Sequence, residues 1–232
     1  MEYRSYQEES RLMDVVQSFF MQVYGWMFLG LLTTGALAYY TTESEFLLSL
    51  IYGNSYSIWV LFIAQLALVV AISGAINSLS YVIAGLLFFL YSGLMGLTLS
   101  SIFLVYTSES ISTVFFITAG TFGAVSLFGY FTKTDLTKMG SILFMALIGL
   151  VIASVVNIFL QNPTVYWILS YAGVLIFVAL TAYDTQRLKN LVYSSNGEDE
   201  SISKLAIVGA LTLYLDFINL FLYLLRIFGK RR

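Results

Sequence analysis

Two carboxylates stand where the sequence tolerates almost no charge. Asp184 lies in VLIFVALTAYDTQRL and Asp216 in ALTLYLDFINLFLYLL. An acid at bilayer depth costs roughly 2.5–3.5 kcal/mol on insertion scales and marks an ion or proton site by default. Two such acids brought together do not both ionise easily, so they share a proton and titrate as a unit. Deprotonated, they offer hard oxygen ligands to a cation such as Ca²⁺. The competing, purely structural role for either acid is a hydrogen bond to a nearby Thr, Asn or Tyr.

The spacing around each acid says how it is held. Thr212, Asp216, Asn219, Tyr223 and Arg226 follow i, i+4, i+7, i+11 and i+14, which is one stripe of a helix. The remaining faces are nearly all Leu, Ile, Val and Phe. A polar stripe does not face lipid cheaply, so it belongs against protein or a water-filled cavity. Ser170, Gly173, Phe177, Thr181 and Asp184 align similarly one span earlier. The two stripes predict facing helices with the acids across a shared cavity, where Thr181, Thr212 and Asn219 are candidate supports. Depth sets a condition on this pairing. A sixth span ending at Gln186 and a seventh starting at Leu205 would leave Asp216 roughly 16 Å deeper than Asp184 at 1.5 Å per residue. The acids come level only if the sixth helix runs on towards Tyr193 and the seventh enters near Gly209.

The rest of the chain is scaffold for these two groups. Of 232 residues, 59% are hydrophobic and 10% charged, against about 25% charged in soluble domains. The bilayer is therefore the solvent. A net charge of −2 gives no sign of nucleic acid. The absence of Cys and His removes disulfides, thiolate chemistry, the commonest metal ligand and the commonest general base. No cofactor is expected. The start, MEYRSYQEESRLMD, stays polar and mixed in charge too long for a cleavable signal peptide.

A span needs about 20 apolar residues. Seven stretches qualify, near 18–40, 56–76, 79–105, 110–131, 139–160, 165–190 and 205–228. The links are TTESEFLLSLIYGNSY, NSL, TSES, TKTDLTK, QNPT and SSNGEDESIS. Such links force antiparallel neighbours and predict a single transmembrane bundle over 1–232. Ser92, Gly96 and Ser100 share a face of the third span, and Gly149 and Ala153 a face of the fifth; small residues at this spacing read as helix packing. Arg4, Arg11, Lys133, Lys138, Arg187, Lys189 and Lys204 collect on one side, which puts the N-terminus in the cytoplasm. The tail Gly229-Lys230-Arg231-Arg232 dissents, because seven crossings put it outside while a re-entrant last segment would return it. Seven crossings are preferred, since 205–228 is long enough to span.

The chain resembles the Bax inhibitor family, the transmembrane Bax-inhibitor-motif proteins, nearly end to end. The likeness rests on VYGWMFLGLLTTGALAYY at 23–40, LYSGLMGLTLSSIFLVY at 90–106 and SLFGYFTKTDLTKMGSILFMALIGLVIASVVNIFL at 126–160. It continues through AYDTQRLKN at 182–190 and LYLDFINLFLYLLRIFG at 213–229. The resemblance implies an all-α fold in which six helices, in two three-helix layers, enclose a central seventh. It also implies a pH-sensitive calcium leak in which Asp184 and Asp216 are the paired sensor at the closed end of the pore. Suppression of cell death in eukaryotes and control of a membrane-bound AAA protease in bacteria are further implied roles. One position departs from the pattern. Where many relatives carry Arg-Ile-x-x-Met-Ser, this chain reads Ala75-Ile76-Asn77-Ser78-Leu79-Ser80. The arginine that latches the acids in some relatives is Ala75 here. Arg187, three residues after Asp184 on the same face, is a candidate replacement; a snorkelling anchor is its other role.

The leading expectation is thus a pH-sensitive calcium leak, with Asp184 and Asp216 as gate and Ca²⁺ contacts, and the bilayer, Ca²⁺ and protons as partners. The alternative is a pore-less regulator of another membrane protein, such as a membrane-bound AAA protease. An enzyme is not expected. An intramembrane aspartyl protease needs Gly-x-Gly-Asp, where this chain has Leu213-Tyr214-Leu215-Asp216. Rhomboid-type and zinc proteases need His, and a retinal protein needs a Lys in the last span, outside which Lys204 lies. A bacterial inner membrane is favoured over the endoplasmic reticulum.

Overall fold

A computed structural model of the chain describes residues 2–195 and 199–232. Met1 and the centre of the expected SSNGEDESIS link, residues 196–198, lie outside the described residues, as do the side chains of 2–10, 55, 199 and 200, Arg4 among them. The described chain is all-helical. Its α-helices are α1 (Glu2–Glu43), α2 (Glu45–Tyr52), α3 (Ser55–Gly74), α4 (Tyr81–Val105), α5 (Ser108–Phe131), α6 (Gly140–Leu160), α7 (Pro163–Ser194) and α8 (Asp199–Phe228), with a 3₁₀ turn at Thr137–Met139. Among the described residues, seven helices are long and apolar enough to cross a membrane. Lipid offers no partner to a peptide N–H or C=O, so a spanning segment must pair its own backbone, as a helix does.

The spans begin and end where local chemistry dictates. Thr107 caps α5 by accepting from the Ser110 N–H at 3.3 Å. Asn162 Oδ1 accepts from Thr164 and Val165 at the start of α7, whose first residue is Pro163. Gln161 ends α6 in the left-handed region, φ 49°, donating to the Asn157 carbonyl at 2.8 Å. Two corrections to the sequence reading concern elements. The first link is not all loop: Ser44 accepts from Leu47 and starts the short helix α2. The Gly149–Ala153 face is not a packing face, because a Cβ at Gly149 would meet nothing within 4 Å.

Two compact units are present. The first comprises the chain up to Val105 with Asn190–Tyr214. Here α1 and α4 approach closely, as the small-residue stripe predicts. A Cβ at Gly96 would come to 2.7 Å of the Thr34 carbonyl oxygen, and Ser92 and Ser100 are buried. Thr34 Oγ1 donates to the Ser92 carbonyl at 2.8 Å and lies 2.6 Å from the Tyr214 hydroxyl. The Tyr214 ring meets Phe88 and Tyr91 edge-on, with centroids 5.9 and 5.8 Å away.

The second unit comprises Tyr106–Lys189 and Leu215–Arg232. Its tail is pinned to the α4–α5 junction. Thr107 N–H donates to the Lys230 carbonyl at 3.1 Å, Lys230 N–H donates to Ser110 Oγ at 2.8 Å, and Tyr106 and Arg231 form an isolated antiparallel bridge. The helix leading to this tail is continuous for 30 residues, without the break a re-entrant segment needs. It is also the most enclosed: 67% of its spanning window is buried, against 11–33% in the other six.

Candidate functional site

The frame of Asp184 is built by its own stretch of α7. Gly129 on α5 lets the helices touch there, since a Cβ would run into the Ala182 backbone. Gly140 does the same for the Tyr183 ring at the start of α6. Thr185 donates to the Thr181 carbonyl at 2.7 Å, and its hydroxyl lies 2.9 Å from that of Ser126 on α5. Gln186 clamps the α5–α6 connection: its Oε1 accepts from Leu136 N–H and its Nε2 donates to the Thr134 carbonyl, both at 2.8 Å. Lys189 Nζ donates to the Tyr130 carbonyl at 2.8 Å and sits 4.9 Å from that ring's centroid. Five positions of α7 between Ala182 and Lys189 thus carry contacts that fix rotation and depth, and Asp184 lies among them.

Asp216 is held from the other side. Phe217, its neighbour on α8, packs edge-on against Phe115 and Phe122 of α5, centroids 5.5 Å away in both cases. Asp184 is 8% exposed and Asp216 5%. Each lies within electrostatic reach of the other. Asp216 Oδ2 is fully buried with no hydrogen-bond partner. Buried polar atoms are rarely left so, and each exception calls for a reason. The depth condition is met on the α7 side, where the helix continues past Tyr193 to Ser194.

The other predicted residues divide. Arg187 Nη1 stands 3.9 Å from Asp184 Oδ1, with the arginine side chain 61% exposed. It is the cation beside the pair; Ala75 caps α3 in the first unit. Thr181, Thr212 and Asn219 each use a donor within their own helix. Each donates to the carbonyl one turn back on its own helix, Phe177, Val208 and Leu215 respectively. The stripe on α7 is buried throughout, at Ser170, Gly173, Phe177, Thr181 and Asp184. On α8 the polar stripe is the less enclosed face: Thr212, Asn219 and Tyr223 are partly accessible and Arg226 exposed, while Leu211, Leu213, Leu220 and Leu225 are buried. Thr185, Gln186 and Ser126 were not singled out from the sequence. The signal available was the run of polar residues after Asp184 in an apolar helix. No cluster of three acidic, His or Cys side chains exists among the described residues. The pair supplies about two to four of the six to eight oxygens Ca²⁺ takes, so a cation here keeps water or carbonyls for the rest.

Fold and site define a polytopic helical membrane protein with an acid pair buried between its last two spans. The chain belongs to the Bax inhibitor family: the family model described as "Inhibitor of apoptosis-promoting Bax1" matches residues 16–232. It is 54% identical over 218 residues to "Inner membrane protein YbhL" of Escherichia coli K12, covering 94% of this chain and 93% of that one. It is 47% identical over 225 residues to an uncharacterized protein of Borreliella burgdorferi, covering 97% of each. A Caulobacter vibrioides protein is 41% identical, over 94% of this chain and 90% of its own length.

Proposed function

We propose that this chain forms a pH-sensitive cation leak that passes Ca²⁺, with Asp184 and Asp216 as its proton sensor. The observation that carries this reading is a buried acid with an unpartnered oxygen, Asp216, within electrostatic reach of a second buried acid. One shared proton supplies the missing hydrogen bond, ties α7 to α8 and closes the path. Its loss leaves two like charges in a low-dielectric site, which repel or recruit a cation. The partly accessible polar stripe on α8 supports a hydrated route to the pair. Arg187 acts as an exposed latch on Asp184. The membrane is a bacterial inner membrane, a reading supported by the printed name of the Escherichia coli relative. The N-terminus is cytoplasmic, as the loop Lys and Arg residues require.

The test is Ca²⁺-dye flux from liposomes holding the purified chain, between pH 6 and 8. The expected outcome is flux above that of empty liposomes, rising as the pair loses its proton. Flux equal to that of empty liposomes at every pH would overturn the channel and leave a regulator of another membrane protein.

A further inference from the structure

At the far end of α8 from Gly209, beyond Asp216, a cavity of about 650 Å³ opens at the α6–α7 junction. Neither Asp184 nor Asp216 lines it. Arg226 and Arg231 both line it, and no acidic residue does. Asn157 and Gln161 add neutral side-chain amides. Arg226 is fixed between two rings, its Cζ 5.0 Å from the Tyr223 centroid and 5.7 Å from that of Tyr166. Gly173 makes this possible, because a Cβ there would meet Tyr223 ring carbons at 2.6 Å. An isolated antiparallel bridge ties Arg231 to Tyr106, and the Tyr106 and Tyr166 side chains raise its pKa. Ser154, also in the wall, has a buried hydroxyl without a partner. Two oriented guanidinium groups, amide donors and a spare hydroxyl, with no counter-charge, make a receptor for a tetrahedral oxyanion.

We propose that this cavity binds a phosphate group, and that the phosphate belongs to the headgroup of an anionic phospholipid. The walls decide between a lipid and a free ion. Ile158, Trp167, Leu169 and Ile227 face the cavity alongside the polar groups. Phe159, Leu160 and Ile168 are exposed next to it, and Trp167 stacks on Tyr171 with centroids 6.2 Å apart. A free phosphate has no use for such walls; a glycerol backbone and acyl chains do. Trp and Tyr at the ends of spans mark the headgroup level, and a cavity of this size falls in the usual range of about 300–1,000 Å³ for ligand sites.

The test is native mass spectrometry of the delipidated protein titrated with phosphatidylglycerol, phosphatidylcholine or inorganic phosphate. Wild type is expected to bind phosphatidylglycerol about tenfold more tightly than phosphatidylcholine. Each basic residue near an anionic surface changes affinity roughly fivefold, so Arg226→Gln with Arg231→Gln should lose about 25-fold. Arg226→Lys with Arg231→Lys should keep most of the affinity. Lys133→Gln with Lys138→Gln, in the α5–α6 connection, should keep all of it. If the double Gln variant does not fold, Arg231→Gln alone, in the exposed tail, should still lose about fivefold. Equal binding of the two lipids, or equal loss in the lysine variant, would overturn the site. Displacement of lipid by millimolar inorganic phosphate would overturn its assignment to a lipid.

Discussion

A carboxylate oxygen without a partner is a stability cost retained at the residue that needs it. Leaving a buried acceptor unsatisfied costs about 1–3 kcal/mol. Above the pH at which the pair loses its shared proton, Asp216→Leu should therefore raise unfolding stability in detergent by about 1–3 kcal/mol while abolishing pH-dependent flux; a variant both less stable there and still pH-sensitive would contradict the role given to Asp216. Asp184→Asn and Asp216→Asn should each remove most of the pH dependence, and the double variant should add little, since groups in one network are non-additive. If the single effects sum, the acids do not share a proton. Asp135, in the α5–α6 connection, provides a contrasting pH effect. Its carboxylate accepts from Thr137 N–H at 2.9 Å, and hydrogen bonds from Thr137, aided by Lys138, hold its pKa below the usual carboxylate range. That contribution is complete above the unfolded value and fades as pH falls through the folded one. Asp135→Asn should thus lower Tm slightly at pH 7 and not at pH 3. The acids and Arg187 were legible in the sequence because charge stands out in an apolar helix. The helix-internal bonds of Thr181, Thr212 and Asn219 were not. A hydroxyl or amide in a helix can always turn back to the carbonyl one turn below, and the sequence does not show which choice it makes.

At the scale of elements, α7 is positioned by contacts that its own sequence does not reveal. The Gln186 clamp joins residues 50 and 52 positions apart, beyond any helical period. Gln186→Ala would orphan the Leu136 N–H, which lies on a buried residue, and should cost about 1–3 kcal/mol in chemical denaturation. A change under about 0.5 kcal/mol would show the connection to be held by something else. The number and order of spans were legible, because twenty apolar residues leave few other structures open. Their ends were less so. Predicted 165–190 became Pro163–Ser194, and predicted 205–228 became Asp199–Phe228, because a helix continues into polar sequence as long as its backbone stays paired. Within the first link, Ser44 and Glu45 were a legible start signal for α2 that its apolar run, FLLSLIY, obscured.

For the whole molecule, seven crossings would place the two termini on opposite faces of the membrane. The pinned tail shares a face with the α4–α5 junction and lies away from the α5–α6 connection. The chain contains no Cys, so single cysteines report cleanly. With an impermeant maleimide, Asn162→Cys and Arg232→Cys should label from one side and Lys133→Cys from the other; labelling of Arg232→Cys together with Lys133→Cys would return the tail to the N-terminal side. The basic tail makes this topology ambiguous in sequence; the Lys230 and Arg231 contacts tie the tail to the α4–α5 junction. The division of the chain also sets a schedule for synthesis. The first unit needs Asn190–Tyr214, yet Tyr106–Lys189 is translated in between. At about 5–20 residues per second, α1 to α4 wait on the order of ten seconds before the Tyr214 hydroxyl reaches Thr34. During that interval the first unit lacks the buried Leu211, Leu213 and Tyr214 of α8, and the Thr34 hydroxyl and the Phe88 and Tyr91 rings wait uncovered.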